Sequence, residues 1–344
     1  LAFSLIFAWP TLLPSFGFHN IIPVIYEYQK GDINKIKKSI LIANDEGRGG
    51  VPEAFKRLKN KENGLRAIIE GIKLVENDTT IKTVGRGSWP DILGNVTLDA
   101  SVMDGDDLRT GSIGALKGYA NPVEVAYEVM QRLYHEILVA EGANRFANEI
   151  NATKIDNLLP EIEKAWQEHL DKHLSAEQRT KFPNIPLIEL SKHSLDPEKV
   201  FDTTVYLSKD HNNTISSATS TSGWAWHYPG RLGDSPIIGA GSYADSRYGA
   251  CACTHTGEMA IRCSTARSVV LYMKMGMSVK DAVLEAVKDL RHLKTGYLDE
   301  LTIHAIDNQD NHYVASFKGS ELVFYWIWTD DMLEPIKKQA RLIL

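Results

Sequence analysis

Asp202 and Thr203, followed eighteen residues later by Thr221, have the residue types and spacing for nucleophilic chemistry. A threonine hydroxyl becomes a nucleophile when a neighbouring base removes its proton. The nearest base to Thr203 is its own α-amine, which exists only after cleavage of the bond to Asp202. A free α-amine has a pKa of about 7.7 to 8 and accepts a proton at neutral pH. By itself the Asp-Thr pair is common and is typical of the start of a strand, so a nucleophile is indicated only by the residues around it.

Two downstream segments carry groups that would complement such a nucleophile. Residues 219–223 (TSTSG) place hydroxyl side chains and a glycine at the end of a predicted strand. There Thr221 and a backbone N–H could bind an oxyanion, although a polar strand edge is the alternative. Arg231 and Asp234, in a glycine-flanked loop, offer a fork for a carboxylate and a counter-charge for an ammonium. An α-amino acid carries both groups, but a simple loop salt bridge is also possible.

Alternating helix and strand patterns must position these residues. The first part predicts helix and turn over 35–43 and 51–59, a helix over 64–75, and a hairpin of 96–103 with 112–118. A helix from Asn121-Pro122 to Leu133 and a strand at 135–140 follow. Residues 151–201 are polar and proline-containing, and predict a surface connector with one helix at 159–173.

The second part begins with predicted strands at 204–208 and 215–221. Helices at 258–274 and 279–292 and strands at 301–306, 313–317 and 322–328 complete it. Because strands and helices occur in both parts, we expect two sheets covered by helices, an α+β fold.

Composition limits the class of partner. The 344-residue chain is 43% hydrophobic with a net charge of -6, and it lacks a basic stripe, so we expect a small polar substrate and no nucleic acid. The cysteines Cys251, Cys253 and Cys263 are read as small buried residues, because their spacing is unlike that of zinc ligands. No metal and no cofactor are expected.

The uncharged start of the chain suggests export. Residues 1–18 carry no charge and residues 1–30 are interpreted as a possible remnant of an apolar leader, while Pro10 and Pro14 argue against a membrane anchor. Four potential glycan acceptor sequences begin at Asn77, Asn95, Asn151 and Asn212. An exported location is therefore slightly favoured over a cytoplasmic one.

Together these elements resemble the glycosylasparaginase family, threonine-type N-terminal nucleophile amidohydrolases that include plant-type asparaginases and isoaspartyl peptidases. The resemblance covers most of the chain. Its most specific blocks are GRGSWPDILG (85–94), LDASVMDG (98–105), VAEGAN (139–144) and residues 219–245, which include GRLGDSPIIGAGSYAD.

The resemblance implies a four-layer αββα sandwich and a role for each matching residue. Thr203 would be the nucleophile, freed when its hydroxyl attacks the Asp202 carbonyl. Thr221 and the backbone N–H of Ser222 would bind the oxyanion. Arg231 would bind the substrate α-carboxylate and Asp234 the α-ammonium. Further substrate contacts would come from Thr254, His255 and Gly257. Cleavage would divide the one structural domain into two chains, 31–202 and 203–344. Two such heterodimers would then pair.

The chain also departs from the family at four positions. Val205 and His255 stand where glycine is usual, Phe201 stands where many members have histidine, and Trp89 replaces a small residue. These departures keep three hypotheses open: a glycosylasparaginase, an L-asparaginase or isoaspartyl peptidase with a different leaving group, and an unprocessed binding protein.

Overall fold

The computed structural model describes residues 38–194, 203–319 and 322–344. Asp202, Phe201 and the apolar start of the chain lie outside the described residues. Residues 37–344 form one compact unit. Its strands are β1 Ile40–Asn44, β2 Leu98–Asp104, β3 Thr110–Leu116, β4 Ile137–Val139, β5 Thr204–Lys209, β6 Ile215–Thr221, β7 Ser242–Asp245, β8 Gly249–His255, β9 Leu301–Asp307, β10 His312–Phe317, β11 Phe324–Thr329, β12 Ile336–Gln339 and β13 Arg341–Ile343.

Most of the described helices lie on the outer faces of the two sheets. They are α1 Val51–Lys59, α2 Gly64–Asn77, α3 Pro122–Arg132, α4 Ala140–Glu149, α5 Pro160–His173, α6 Ala176–Lys181, α7 Ile188–Ser191, α8 Gly257–Cys263, α9 Thr265–Lys274 and α10 Val279–Arg291. Local signals set several of the helix starts. Asn63 caps α2 by accepting from the Arg66 N–H at 3.0 Å, and Ser278 accepts from the Asp281 N–H at the start of α10.

The strands form two sheets. The first has the order β12-β11-β1-β5-β6-β2-β3-β4 and the second has the order β13-β10-β9-β8-β7. Pairing of β1 with β5 and of β2 with β6 is antiparallel. The strands β5 and β6, which follow Thr203, thus lie between β1 and β2, which precede it.

Three apolar cores separate the four layers. One lies between α1–α4 and the first sheet, one between the two sheets, and one between the second sheet and α8–α10. The fold is therefore the predicted αββα sandwich, with the space between the sheets available for a site at their ends.

The structure corrects several element predictions. Residues 40–43 are part of a strand, not of a helix, and the helix expected over 258–274 is divided at Ser264, whose φ is 47°. Strands β7 and β8 were not expected. The segment predicted as a surface connector contains the expected helix as α5 and also the unexpected α6 and α7, and its Leu170 and Leu190 are buried in a small core that they share with Ile92, Ala225 and Trp226.

Candidate active site

Three threonine side chains face the space between the two sheets. Side chains two residues apart in a strand lie on the same face. Val205 and Ala252 belong to the core between the sheets, which places Thr203 and Thr254 on that side of β5 and β8. Thr221 shares its face of β6 with Ile215 of the same core. All three threonines are buried, so their hydroxyls are held at the ends of β5, β6 and β8.

A narrow cavity joins these hydroxyls to the charged residues of the 230–236 loop. Among the predicted site residues, Thr203, Thr221, Arg231, Asp234 and His255 line it. Gly223, Trp224 and Gly233 complete the wall. Thr254 and Gly257 adjoin the cavity through His255 and Asp234, as described below. The sandwich thus brings together residues up to 52 positions apart in the sequence.

The backbone on both sides of Thr204 is held by the side chain of Asn44 at the end of β1. Asn44 Nδ2 donates to the Thr203 carbonyl at 2.5 Å, and Asn44 Oδ1 accepts from the Val205 N–H at 3.0 Å. The backbone pairing of β1 with β5 ends at Ala43, and the Asn44 side chain makes the next two hydrogen bonds to the β5 chain. Asn44 therefore fixes the position of Thr203, and sequence reasoning missed it.

The hydroxyl of Thr203 lies next to Ser235. The two Oγ atoms are 3.4 Å apart. The Ser235 carbonyl accepts from Ser101 Oγ at 2.5 Å and from Thr219 Oγ1 at 2.9 Å. These bonds fix the backbone of the loop against β2 and β6, so the loop meets Thr203 in a defined position.

The backbone N–H of Ser222 is already used. It donates to the Thr83 carbonyl at 2.8 Å, so in this conformation it is not directed at an oxyanion in the cavity. The Thr221 hydroxyl accepts from the Gly223 N–H at 3.0 Å and lies 3.4 Å from the Thr83 carbonyl. Thr221 thus remains beside the cavity while Ser222 serves the turn that follows β6.

The guanidinium of Arg231 is fixed on two sides. It lies over the Trp224 ring, 4.5 Å from the centroid, and donates to Glu258 Oε1 at 3.1 and 2.9 Å. Gly223 is required here, because its φ is 79° and an added Cβ would lie 2.8 Å from Arg231 Nη1. Arg231 is thus held in place before any carboxylate enters the cavity.

Asp234 lies against the start of α8. A Cβ at Gly257 would be 2.5 Å from Asp234 Oδ1, so only glycine allows this approach. Asp99, at the start of β2, accepts from the Ala115 N–H at 2.8 Å. Burial raises the pKa of Asp99 to about 6, although the Ala115 N–H and the charge of Arg231 oppose that rise. Asp99 therefore adds a buried carboxyl behind the substrate-binding loop.

His255 is a non-glycine residue in a left-handed conformation, with φ of 80°. Its Nδ1 lies 3.1 Å from Thr254 Oγ1 and its Nε2 lies 3.5 Å from Glu300 Oε1. Glu300 Oε1 also accepts from Ser316 Oγ at 2.9 Å. A chain of polar groups therefore runs from the second sheet to the cavity.

The aromatic segment 223–229 has two roles. Trp226 is fully buried and packs against His169, Trp89 and residues of α5, with ring centroids 4.8 Å from His169 and 5.4 Å from Trp89. Trp226 therefore packs against a neighbouring helix and does not face the cavity. Trp224 instead contacts Arg231 and the edge of Tyr297.

Cys251 and Cys253 are buried free thiols and Cys263 is partly buried, as expected for structural cysteines. Among the residues that the structure describes, no group of three or more His, Cys, Asp or Glu is placed to hold a metal ion. Within the same residues, no helix combines the length and apolar character needed to cross a membrane.

Asn44, Ser235, Asp99, Glu258 and Glu300 support the site and were not predicted to do so. Asp99 and Ser235 lie inside the family-like blocks 98–105 and 219–245, so closer attention to the polar residues of those blocks would have found them. Asn44 and Glu300 have no local signal, because their partners are distant in the sequence.

The fold and the cavity define the class of protein: an αββα sandwich whose threonines meet an Arg–Asp pair between two sheets. A profile of the family described as Asparaginase matches residues 28–309. A second profile, of the tryptophan/tyrosine permease family, matches residues 1–44, of which Ile40–Asn44 form β1 of the sandwich.

Proteins of similar sequence carry names that agree with the Asparaginase profile, the longer of the two matches. The chain is 34% identical to an N(4)-(beta-N-acetylglucosaminyl)-L-asparaginase of Elizabethkingia miricola, over 78% of this chain and 79% of that protein. It is 34% identical to a plant-type L-asparaginase of Pyrococcus abyssi, over 84% and 90%. It is 33% identical to an isoaspartyl peptidase/L-asparaginase of Mus musculus, over 67% and 66%. The chain belongs to the asparaginase family of N-terminal nucleophile hydrolases and is an amidohydrolase of that family.

Proposed function

We propose that this amidohydrolase cleaves the side-chain amide of an asparagine derivative, with Thr203 as the nucleophile after cleavage of the Asp202–Thr203 bond. The observation that carries the proposal is the single cavity lined by Thr203, Thr221, Arg231 and Asp234. A nucleophile, a cation and an anion in one cavity match an amino acid whose reactive group is on its side chain.

Two reactions would use the same hydroxyl. In the first, Thr203 Oγ1 attacks the Asp202 carbonyl, the peptide nitrogen leaves as the Thr203 α-amine, and water hydrolyses the resulting ester. In the second, that amine removes the hydroxyl proton, and Oγ1 attacks the substrate amide. The leaving amine takes the proton, and water then releases aspartate from the β-aspartyl ester on Thr203.

The oxyanion of either reaction needs hydrogen-bond donors other than the Ser222 N–H, which binds Thr83. We assign this task to the hydroxyls of Thr221 and Thr254, because both face the space between the sheets that Thr203 faces, and because the bond that Thr221 donates to the Thr83 carbonyl is long, at 3.4 Å.

Substrate recognition would use the charges of the loop. The α-carboxylate binds the free edge of the Arg231 guanidinium, whose other contacts are Trp224 and Glu258. The α-ammonium binds Asp234. We propose glycosylasparagine as the substrate and a glycosylamine as the leaving group, following the Elizabethkingia relative. Plant-type asparaginases are equally similar to this chain, so ammonia is the second candidate leaving group.

The strand at Val205 supports processing over the unprocessed alternative. Val205 lies in a regular part of β5, paired with Thr219, and its φ is not positive. Glycine is therefore not needed for the backbone conformation at this position. Pairing of β1 with β5 and of β6 with β2 would hold the two chains together after the cut. We further propose that two such heterodimers associate, which light scattering of the processed protein would test.

The direct test is to incubate the purified protein and measure its intact mass. Two fragments are expected, the smaller beginning at Thr203, and a single species after prolonged incubation would refute the proposal. Thr203→Ala should abolish cleavage and hydrolysis. Thr203→Ser, which keeps a hydroxyl, is the matched control and should retain measurable cleavage.

The leaving group is tested with three substrates on the processed protein. Glycosylasparagine, asparagine and a β-aspartyl dipeptide share the aspartyl part, so their relative kcat/KM values report the leaving group alone. A glycosylasparagine rate below both others would replace the proposed substrate without changing the proposed nucleophile.

A further inference from the structure

The Thr254–His255–Glu300 arrangement has no counterpart in a chain that carries glycine at position 255. Glycine has no ring to bond to the Thr254 hydroxyl. Here that hydroxyl lies 3.1 Å from an imidazole nitrogen, and the other nitrogen lies 3.5 Å from a carboxylate. The carboxylate of Glu300 is held by Ser316 at 2.9 Å and by Thr302 at 3.3 Å, so the ring lies between two fixed partners.

The carboxylate determines which nitrogen of a neutral His255 ring carries the hydrogen. A carboxylate only accepts hydrogen bonds, so it favours the hydrogen on the facing Nε2. Nδ1 then turns a lone pair toward Thr254, whose hydroxyl must donate its hydrogen to it. In this state Thr254 presents only lone pairs to the cavity.

Protonation of the ring reverses this bond. Both nitrogens of an imidazolium are donors, so Nδ1–H donates to Thr254 Oγ1. The hydroxyl hydrogen of Thr254 is then able to point toward a carbonyl oxygen in the cavity.

We propose that His255 is a positioning residue that decides whether the Thr254 hydroxyl donates a hydrogen bond to the reacting carbonyl oxygen. The inference rests on the proposed function, because it concerns the oxyanion formed during attack by Thr203. Losing one oxyanion donor typically lowers kcat by about 100- to 1000-fold, so the state of this hydroxyl would have a measurable effect.

Several titratable and charged groups surround the His255 ring. His304 on β9 stays neutral, since burial and the neighbouring His255 lower its pKa to about 3. After cleavage the α-amine of Thr203 also titrates. Among the described residues, the cavity wall and its partners add the charges of Arg231, Asp234, Glu258 and Glu300.

The experiment compares kcat and KM of the processed wild type and of His255→Asn between about pH 5 and 8. Asparagine tolerates the left-handed conformation and does not titrate. Titration of the Thr203 amine affects both enzymes and cancels in the ratio of their kcat values. We expect the ratio of the wild-type kcat to the His255→Asn kcat to rise as the pH falls, by up to the about 100- to 1000-fold that one oxyanion donor contributes, with KM values similar in the two enzymes.

A second pair of variants tests whether the pH effect depends on the Thr254 hydroxyl. In a Thr254→Val background, the kcat ratio between the enzyme that keeps His255 and the one that carries His255→Asn should not change with pH, because no hydroxyl remains to be turned. His255→Gly, with no side chain to strain the backbone, replaces His255→Asn if the latter does not fold.

The outcomes separate the inference from the function on which it rests. An active wild type with a pH-independent kcat ratio overturns the role of His255 and leaves the nucleophile intact. A pH-dependent ratio that persists in the Thr254→Val background also overturns it, because the effect would then bypass Thr254. A chain that neither cleaves itself nor hydrolyses an amide overturns the proposed function and this inference together.

Discussion

Ionisation of Glu76 should destabilise the folded protein as the pH rises. Glu76 lies at the end of α2, fully buried behind β6, and it accepts from Ser220 Oγ at 2.7 Å and from the Val123 N–H at 3.0 Å. Burial raises the pKa of Glu76 from 4.5 to about 7, although the Ser220 and Val123 bonds oppose the rise. Ser220 precedes Thr221, so this carboxyl supports the strand that carries a site residue.

The sign and size follow from proton binding. Between pH 4.5 and about 7 the folded state keeps a proton that the unfolded state has lost, so the free energy of unfolding falls as the pH rises. At 1.36 kcal/mol per pKa unit, the loss across this window is about 3 kcal/mol. Above the folded-state pKa of about 7 there is no further loss from this group.

Glu76→Gln replaces the carboxyl with a group that stays neutral. At each pH we compare the free energy of unfolding of Glu76→Gln with that of the protein that keeps Glu76. We expect this difference to change by about 3 kcal/mol in favour of the variant between pH 4.5 and 8. Urea unfolding in a Thr203→Ala background keeps the chain in one piece, and taking the difference removes the other titrating groups. Glu149→Gln, an exposed helix carboxyl paired with Arg145, is the control and should change by less than about 0.5 kcal/mol. A pH-independent difference for Glu76→Gln would refute the reasoning.

Three further predictions follow from the contacts of the site. Asn44→Ala leaves the Thr203 carbonyl and the Val205 N–H without this partner and should cost about 2 to 4 kcal/mol in urea unfolding; an unchanged midpoint would contradict the bonds. Trp226→Ala should cost about 3 to 5 kcal/mol because the ring is fully buried, and a loss under about 1 kcal/mol would show that it does not pack as described. Trp224→Leu should cost less in urea unfolding than Trp226→Ala, about 1 to 3 kcal/mol, because the Trp224 ring is buried but leucine keeps part of its packing, and it should raise KM about five- to thirtyfold by removing the ring under Arg231; an unaltered KM would exclude that contact from substrate binding.

Periodicity predicted the elements that have one polar and one apolar face. Helix α2 has its apolar side chains on one side and a capping asparagine before it, and both signals are local. Strand β8 lacks such contrast, because its alternating alanines and cysteines are small and buried on both faces. Strand β1 failed for the same reason: all five of its residues are buried, so no alternation marks it.

The site residues also fall into those that a local pattern predicted and those that it did not. The spacing of Thr203, Thr221, Arg231 and Asp234 is contained in one stretch of chain, and the structure places all four at the same cavity. Their supports come from elsewhere: Asn44 is 159 residues from the Thr203 carbonyl it binds. The bond from the Ser222 N–H to the Thr83 carbonyl could not be predicted, because Thr83 belongs to a loop whose position beside β6 has no local signal in the sequence.

Val205 and His255, which stand where glycine is usual in the family, differ in their backbone conformation. Val205 occupies a regular strand and its side chain fills the core between the sheets, so a β-branched residue suits that position. His255 keeps a φ of 80°, which disfavours any residue with a Cβ and costs about 1 kcal/mol or more. Strain of this kind persists where surrounding contacts hold the residue, and here the ring nitrogens meet Thr254 and Glu300. A strained residue with both polar atoms engaged at the edge of the cavity is better explained by a task at the Thr254 hydroxyl than by packing.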